Sequence, residues 1–249
     1  MPPLMLMPPL MLTLSSQVVN QHEGGSAVYQ KVFESLGIRR DEMEFPGVTT
    51  GQNAGVWLGP RPQSFIDAHA KLQQQVVKQM RSFGMRALLQ VWGGDVPNAY
   101  ASHFPEAKLL LRPAGIPGGA LAGTGVGELS PVLHPEDQNY SEIGTLYVKT
   151  AMELYGGQDH LYDGGTWFDE GNTEFLNTSY VAAVSNSTFE FMAAADNDAA
   201  WIDSAWRFAA TSPFWLGDNG ANMKVQSSCL CCRLCCPRAD ALVFAFRPS

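Results

Sequence analysis

The stretch GTWFDEGN, residues 165–172, sets two carboxylates, Asp169 and Glu170, directly behind two aromatics, Trp167 and Phe168, with glycine on either side. A carboxyl held against aromatic walls is disfavoured in its charged form. It keeps its proton closer to neutral pH and can give that proton to a leaving group. Glu170 is therefore a candidate general acid. The same residues also have a purely structural reading, in which Asp169 caps a following turn and Glu170 is solvated. Trp92 and Trp206 fall at the ends of strand-like segments. A flat aromatic there is a platform for the apolar C–H face of a sugar ring, or it fills a core. Asp95 and Asp203 are further carboxylates at such ends, able to pair with Glu170 or to serve as polar loop groups. The five histidines, His22, His69, His103, His134 and His160, form no metal-ligand spacing, and the sequence holds no HExxH, GxSxG or phosphate-binding glycine loop.

These residues need strands and helices to position them. Pro62 and Ser64 open a helix that Gly84 closes, with Phe65, Ile66, Leu72, Val76, Val77, Met80 and Phe83 on its apolar face. ALLQVW, residues 87–92, is short and mostly apolar, which predicts a buried strand that ends in a tight loop at Gly93-Gly94-Asp95. Residues 98–103 suit a short helix. Prolines and glycines crowd residues 109–133, which predicts a long loop with little regular structure. A helix follows from Ser141-Glu142 to Tyr155, with Ile143, Leu146, Tyr147, Ala151 and Leu154 inward, and stops at Gly156-Gly157. HLYDGGTWF, residues 160–168, is strand-like. Residues 178–196 are helical, with Tyr180, Val181, Val184, Phe189 and Met192 on one face, and AAWIDSAWRF, residues 199–208, is the next strand. Such alternation means parallel strands joined by crossover helices, in a doubly wound sheet or a (β/α)8 barrel. Both place chemistry at the C-terminal ends of the strands. Phe168 would end its strand there, with Asp169 and Glu170 in the mouth.

Composition narrows the partners. The 249 residues carry a net charge of −8 and are 45% hydrophobic. An acidic surface repels phosphate backbones and anionic lipid, so nucleic acid is not an expected partner. No run of about eighteen apolar residues exists to span a bilayer. MPPLML occurs twice in residues 1–12, but prolines interrupt it and no basic residue precedes it, so it makes no clear signal peptide. All five cysteines fall between Cys229 and Cys236. Three glycosylation sequons begin at Asn139, Asn177 and Asn186.

Several runs, in order, resemble one family, the α-N-acetylglucosaminidases, family 89 of the glycoside hydrolases. KQMRSFGM at 78–85 is similar to its DQMRSFGM, GGDVP at 93–97 to its AGHVP, and HPEDQNYSEIG at 134–144 to the start of one of its helices. DHLYDGGTWFDE at 159–170 resembles DHIYGADTFNE, and SYVAAV at 179–184 resembles SYLAAA. The resemblance covers roughly residues 29–216. It implies an α/β fold, a partial (β/α)8 barrel over 29–216, flanked by an irregular segment at 1–28 and a cysteine-rich tail at 217–249. It also implies removal of terminal α-linked N-acetylglucosamine from glycans, in animals from heparan sulfate. The reaction retains configuration, needs no metal or organic cofactor, and takes place in a lysosomal, vacuolar or secreted setting. By the same resemblance Glu170 is the acid/base, and Asn53, Trp57, Asp169 and Trp206 contact substrate. Departures accompany it. Asp169 stands where the family has asparagine, and a carboxylate cannot donate as an amide does. Asp95 replaces a histidine. The family's second catalytic glutamate and its helical domain find no counterpart here, so the expectation is a glycosidase domain whose own turnover is absent, at most a weak sugar binder.

Overall fold

The computed structural model describes residues 25–43, 62–113, 129–163 and 178–202. Its element order is α1 (Gly25–Ser35), a 3-10 turn, α2 (Gln63–Ser82), β1 (Leu88–Gln90), α3 (Tyr100–His103), β2 (Leu109–Pro113), β3 (Leu129–Leu133), α4 (Tyr140–Tyr155), β4 (Leu161–Asp163), α5 (Thr178–Ala195) and β5 (Ala200–Ile202). β1, β4 and β5 form a parallel sheet in that order. The parallel strands thus lie in chain order, with the β2–β3 pair and α4 between β1 and β4, and α5 between β4 and β5. Among the described strands the order never reverses, whereas a doubly wound sheet turns on such a reversal.

The helices begin and end where local chemistry dictates. Pro62, whose ring presets φ, stands just before α2 and leaves its carbonyl to accept from Phe65 and Ile66. The helix closes at Gly84 (φ +74°), and the Met85 N–H returns to the Met80 carbonyl, the Schellman pattern. α4 stops at Gly156 (φ +79°), whose N–H bonds to Met152. The buried side of α2 is Ile66, Gln73, Val77 and Met80. This corrects the predicted apolar face, because Leu72 is 48% and Phe83 72% exposed. Ile66, Val77 and Met80 of that face are buried and Val76 packs against the core, while Gln73 is brought inward with them.

One side of the parallel sheet, Leu89, Tyr162 and Trp201, packs on a continuous core with Val28, Val32 and Phe33 of α1, Val77 and Met80 of α2, Tyr147 and Ala151 of α4, and Val184 and Phe191 of α5. Fully burying a side chain of this size contributes about 1.5–3 kcal/mol. α4 and α5 approach closely because residue 144 is glycine; a Cβ there would lie 2.3 Å from the Phe191 ring. α1 was not anticipated. Its first turn, from Gly25, precedes residue 29, and Ala27 and Val28 are buried.

The expected irregular loop at 109–133 is the second correction. β2 and β3 pair antiparallel over five residues each, from Leu109↔Leu133 to Pro113↔Leu129. The hairpin carries Pro113 and Pro131, which is tolerated in a two-stranded ribbon that need not accept a neighbour on both sides.

Candidate active site

Strand alternation sends residues i and i+2 to the same face. Leu88, Leu161 and Ala200 form a small apolar cluster with Ile202 against it, on the face opposite the helices. Gln90 and Asp163 belong to this face, two residues beyond Leu88 and Leu161. They are register partners, and Asp163 is in turn paired with Ile202. The C-terminal row of the sheet is therefore Gln90, Asp163, Ile202, and both polar members are buried. Asp163 was not singled out from sequence. Asp163 follows Leu161 at period two, and its pairing with Gln90 and Ile202 sets it in this row.

The chain leaves β1 through a loop locked by main-chain bonds. The Leu133 N–H donates to the Gly94 carbonyl at 2.8 Å, the Val96 N–H to Pro131 at 3.1 Å, and Asp95 bridges Val132. Gly94 (φ +94°) fits because a Cβ would meet Val132 Cγ1 at 2.9 Å. Trp92 lies in the core rather than in a cleft. It is 2% exposed, its ring centroid is 5.0 Å from that of Tyr140, and its Nε1–H donates to the Asp95 carbonyl at 2.8 Å. Asp95 is buried as well. Burial pushes the Tyr147 hydroxyl far above its ordinary pKa, and the neighbouring Tyr155 and Asp95 add to the effect. Next to the hairpin, the Asp137 carboxylate accepts from the N–H groups of Lys108 and Asn139, both at 2.8 Å, and so fixes the turn into α4.

The N-terminal ends of the strands carry a different set of groups. Arg81 places Nε and Nη2 2.8 and 2.7 Å from Asp159 Oδ2, and donates to the carbonyls of Tyr155 and Gly156 at the end of α4. Arg86 donates to the Asp159 carbonyl. His160 Nδ1 lies 2.9 and 3.0 Å from the two carboxylate oxygens of Asp196, and the Tyr162 hydroxyl donates to Asp196 at 2.6 Å. Burial pushes the Asp196 pKa up, but hydrogen bonds from Tyr162, His160 and the Asp198 N–H outweigh it and hold the carboxyl below its ordinary range. Tyr162 is driven far upward, by burial first and then by Asp196. His160, Asp196 and Asp198 could jointly offer ligand atoms to a metal ion. The strands separate that group from the end where catalysis is expected.

Glu170 and Asp169 lie outside the described residues, as do Asn53, Trp57, Trp206, Asp203 and the predicted strand end at Phe168. Their anchors are described. Glu170 follows the C-terminal end of β4 by seven residues and precedes α5, and Trp206 follows the C-terminal end of β5 by four. Among the described residues no helix is long and apolar enough to cross a membrane.

Comparison with known proteins bears on this geometry. The family model described as alpha-N-acetylglucosaminidase (NAGLU) TIM-barrel domain matches residues 17–226. The human alpha-N-acetylglucosaminidase is 32% identical over 200 residues, which is 77% of this chain and 26% of that protein. Two Clostridium perfringens structures share the fold. One is a family 89 glycoside hydrolase in complex with 2-acetamido-1,2-dideoxynojirimycin, with TM-score 0.60 and 17% identity over 82% of this chain and 22% of that one. The other is a variant with two glutamates replaced by glutamine, in complex with its substrate GlcNAc-α-1,4-galactose, with TM-score 0.58 and 18% identity over 82% and 22% of the two chains. The chain thus spans about a quarter of the length of these relatives. Its three parallel strands in sequential order, the crossover helices between them and a family match across 17–226 lead to one conclusion: this chain belongs to the α-N-acetylglucosaminidase family and corresponds to its TIM-barrel domain.

Proposed function

We propose that the chain forms an arc of a glycosidase barrel and carries the acid/base half of a retaining site for terminal α-linked N-acetylglucosamine. The observation that supports this best is that β4, central among the described strands of the parallel sheet, ends at Asp163, four residues before the WFDE run along the chain. Barrel enzymes build their sites from the loops at those ends. Glu170 protonates the glycosidic oxygen as the bond breaks, then takes a proton from the incoming water. Trp57 and Trp206 offer aromatic faces to the ring, and Asn53 supplies an amide able to donate and accept. Asp169 accepts only, so it suits a hydroxyl or an amide N–H of the sugar. No cofactor enters this chemistry.

Retention requires a second carboxyl about 5–5.5 Å from the first, across the scissile bond. The resemblance supplies Glu170 as one of the two carboxyls, and this reading concerns that half of the site. The test uses an aryl α-N-acetylglucosaminide with two leaving groups. The barrel with both carboxyls present should cleave both. Glu170→Gln should then slow the poor leaving group by about 10²–10⁴-fold and the activated one much less, because little protonation is needed there. Equal losses on both would remove Glu170 from the acid role.

A further inference from the structure

Asn186, Ser187 and Thr188 make up one of the three sequons, and they lie in the middle of α5. Two residues along an α-helix are turned about 200° from each other, so the asparagine and the threonine fall on opposite sides. Asn186 is exposed, in a row with Glu190 one turn on and Ala194 a turn further. Thr188 is fully buried, and its hydroxyl finds no hydrogen-bond partner among the described residues. Burying a hydroxyl without a partner costs stability, and valine has nearly the same shape without that cost. The hydroxyl therefore does nothing for the fold. It has a use before the chain folds, because Asn-x-Thr is the acceptor signal for N-linked glycosylation. The sequon at Asn139 is placed differently. Asn139 is partly buried at the start of α4, its N–H donates to Asp137 at 2.8 Å, its carbonyl accepts from Ile143 at 2.9 Å, and the next residue, Tyr140, packs on Trp92. An oligosaccharide there would have to leave through the turn that seats α4. Asn177 lies outside the described residues.

We propose that Asn186 carries an N-linked oligosaccharide, attached before α5 folds. This rests on the secretory setting that the family resemblance implies, and it is independent of the glycosidase chemistry. The donor is an oligosaccharide carried on a polyprenyl pyrophosphate. The Asn186 amide nitrogen bonds to the anomeric carbon of the reducing-end sugar. The bond from that carbon to the pyrophosphate oxygen breaks, the lipid pyrophosphate leaves with the bonding electrons, and the amide nitrogen gives up one proton to solvent. A transferase can read the Thr188 hydroxyl beside the asparagine only while the segment is unwound. Once α5 forms, the hydroxyl is sealed inside and the asparagine faces out. A glycan is bulky and needs a surface position, which the outer row of α5 gives. α5 packs on the helix side of the sheet, so the glycan stands away from the side that carries Gln90 and Asp163.

Translation of the chain behind a cleavable secretion leader, with endoplasmic-reticulum microsomes present, tests this. The chain that becomes protected from added protease is treated with peptide N-glycosidase, and the modified asparagines are located by peptide mass spectrometry. Asn186 should be modified. Asn186→Gln and Thr188→Val should each remove its oligosaccharide, Thr188→Ser should keep it at lower occupancy, and Asn139→Gln should leave it unchanged. Urea unfolding of the chain without glycan tests the hydroxyl separately. Thr188→Val should unfold at a urea concentration equal to or above that of the unsubstituted chain. An unmodified Asn186 in the protected chain would overturn the proposal, whichever other sequon is used. A clear fall in the Thr188→Val midpoint would overturn it too, because the hydroxyl would then serve the fold. Failure of the glycosidase reading would leave both readouts as they are.

Discussion

The two ends of the parallel strands use polar residues in opposite ways. At the N-terminal ends they bond to one another and to helix ends. Arg81 ties Asp159 to the last carbonyls of α4, and Asp196 gathers His160, Tyr162 and the Asp198 N–H. At the C-terminal ends the path of the chain is fixed mainly by backbone bonds between the β1 exit loop and the hairpin, and the carboxylates of Asp95 and Asp163 are buried next to apolar neighbours. The first end is built so that the charges are satisfied within the fold. At the second the described contacts are mostly backbone bonds, at the strand ends where barrel sites are built. Substitutions at the first end should therefore act through side-chain bonds and change stability most, whereas those at the second should act through the backbone of the loop that leaves β1.

The largest effect should come from Asp196→Ala. The change removes the acceptor of the buried Tyr162 hydroxyl and the partner of His160 together. Leaving a buried donor unsatisfied costs about 1–3 kcal/mol, and the lost charged bonds add to that. We expect a loss of about 3 kcal/mol in urea unfolding followed by far-UV circular dichroism. A loss below about 1 kcal/mol would break the contrast between the ends.

Arg81→Met should come next. Both ion-pair partners are largely shielded, with side chains 22% and 13% exposed, so breaking the pair strands Asp159 and frees two carbonyls at the end of α4. A loss of about 2 kcal/mol is expected, below the range for a fully buried pair because some water reaches this one. Arg81→Lys should recover less than half, since an ammonium cannot reproduce the fork that reaches carboxylate and carbonyls together. Full recovery by lysine would show that charge alone, without the fork, holds the corner.

How much of this could be read beforehand differs from element to element. α2, α4 and α5 were legible because apolar period and glycine stops agree, as at Gly84 and Gly156. β1 was legible as a short apolar run ahead of Gly93-Gly94. The hairpin was not. Pro113, Pro131 and the glycines between the strands all signal irregular chain, and the pairing that overrides them joins residues up to twenty-four apart. Ile66, Val77 and Met80 of the expected α2 stripe are buried, but Leu72 and Phe83 at its margins are exposed, which spacing alone does not separate. Asp163 was missed for a related reason. In a three-residue strand the face of one residue is settled only by which neighbours are paired. The segments bearing Asn53, Trp57, Glu170 and Trp206 were legible by resemblance, and their placement lies outside the described residues.

At the C-terminal ends Gly94→Ala sharpens the comparison. Alanine at φ +94° is strained, and its Cβ would press on Val132 at 2.9 Å. Left-handed backbone costs a non-glycine residue about 1–2 kcal/mol. A destabilisation of about 1.5 kcal/mol is expected, and because the strain lies in the loop leaving β1, affinity for 2-acetamido-1,2-dideoxynojirimycin should fall as well. Lost stability with unchanged affinity would place this loop with the N-terminal ends in behaviour.

The smallest effect concerns pH. Asp196 has its folded pKa held below the ordinary carboxylate value, which is about 4 in an unfolded chain. Between the two values the unfolded state binds more protons than the folded state, so stability rises with pH across that window. The contribution is complete above the unfolded value and is lost as pH falls through the folded one. Asp41 and Glu42 shift in the same direction through Arg39, but they are exposed and water screens them. Most of the acid slope assignable to this set should therefore belong to Asp196. Unfolding free energies of the unsubstituted protein and of Asp196→Asn should differ by a constant amount above about pH 5 and converge as pH drops below about 4. Parallel acid limbs would mean that the carboxylate is not held by its three donors, and the closed network that distinguishes the N-terminal ends of the strands would lose its electrostatic basis.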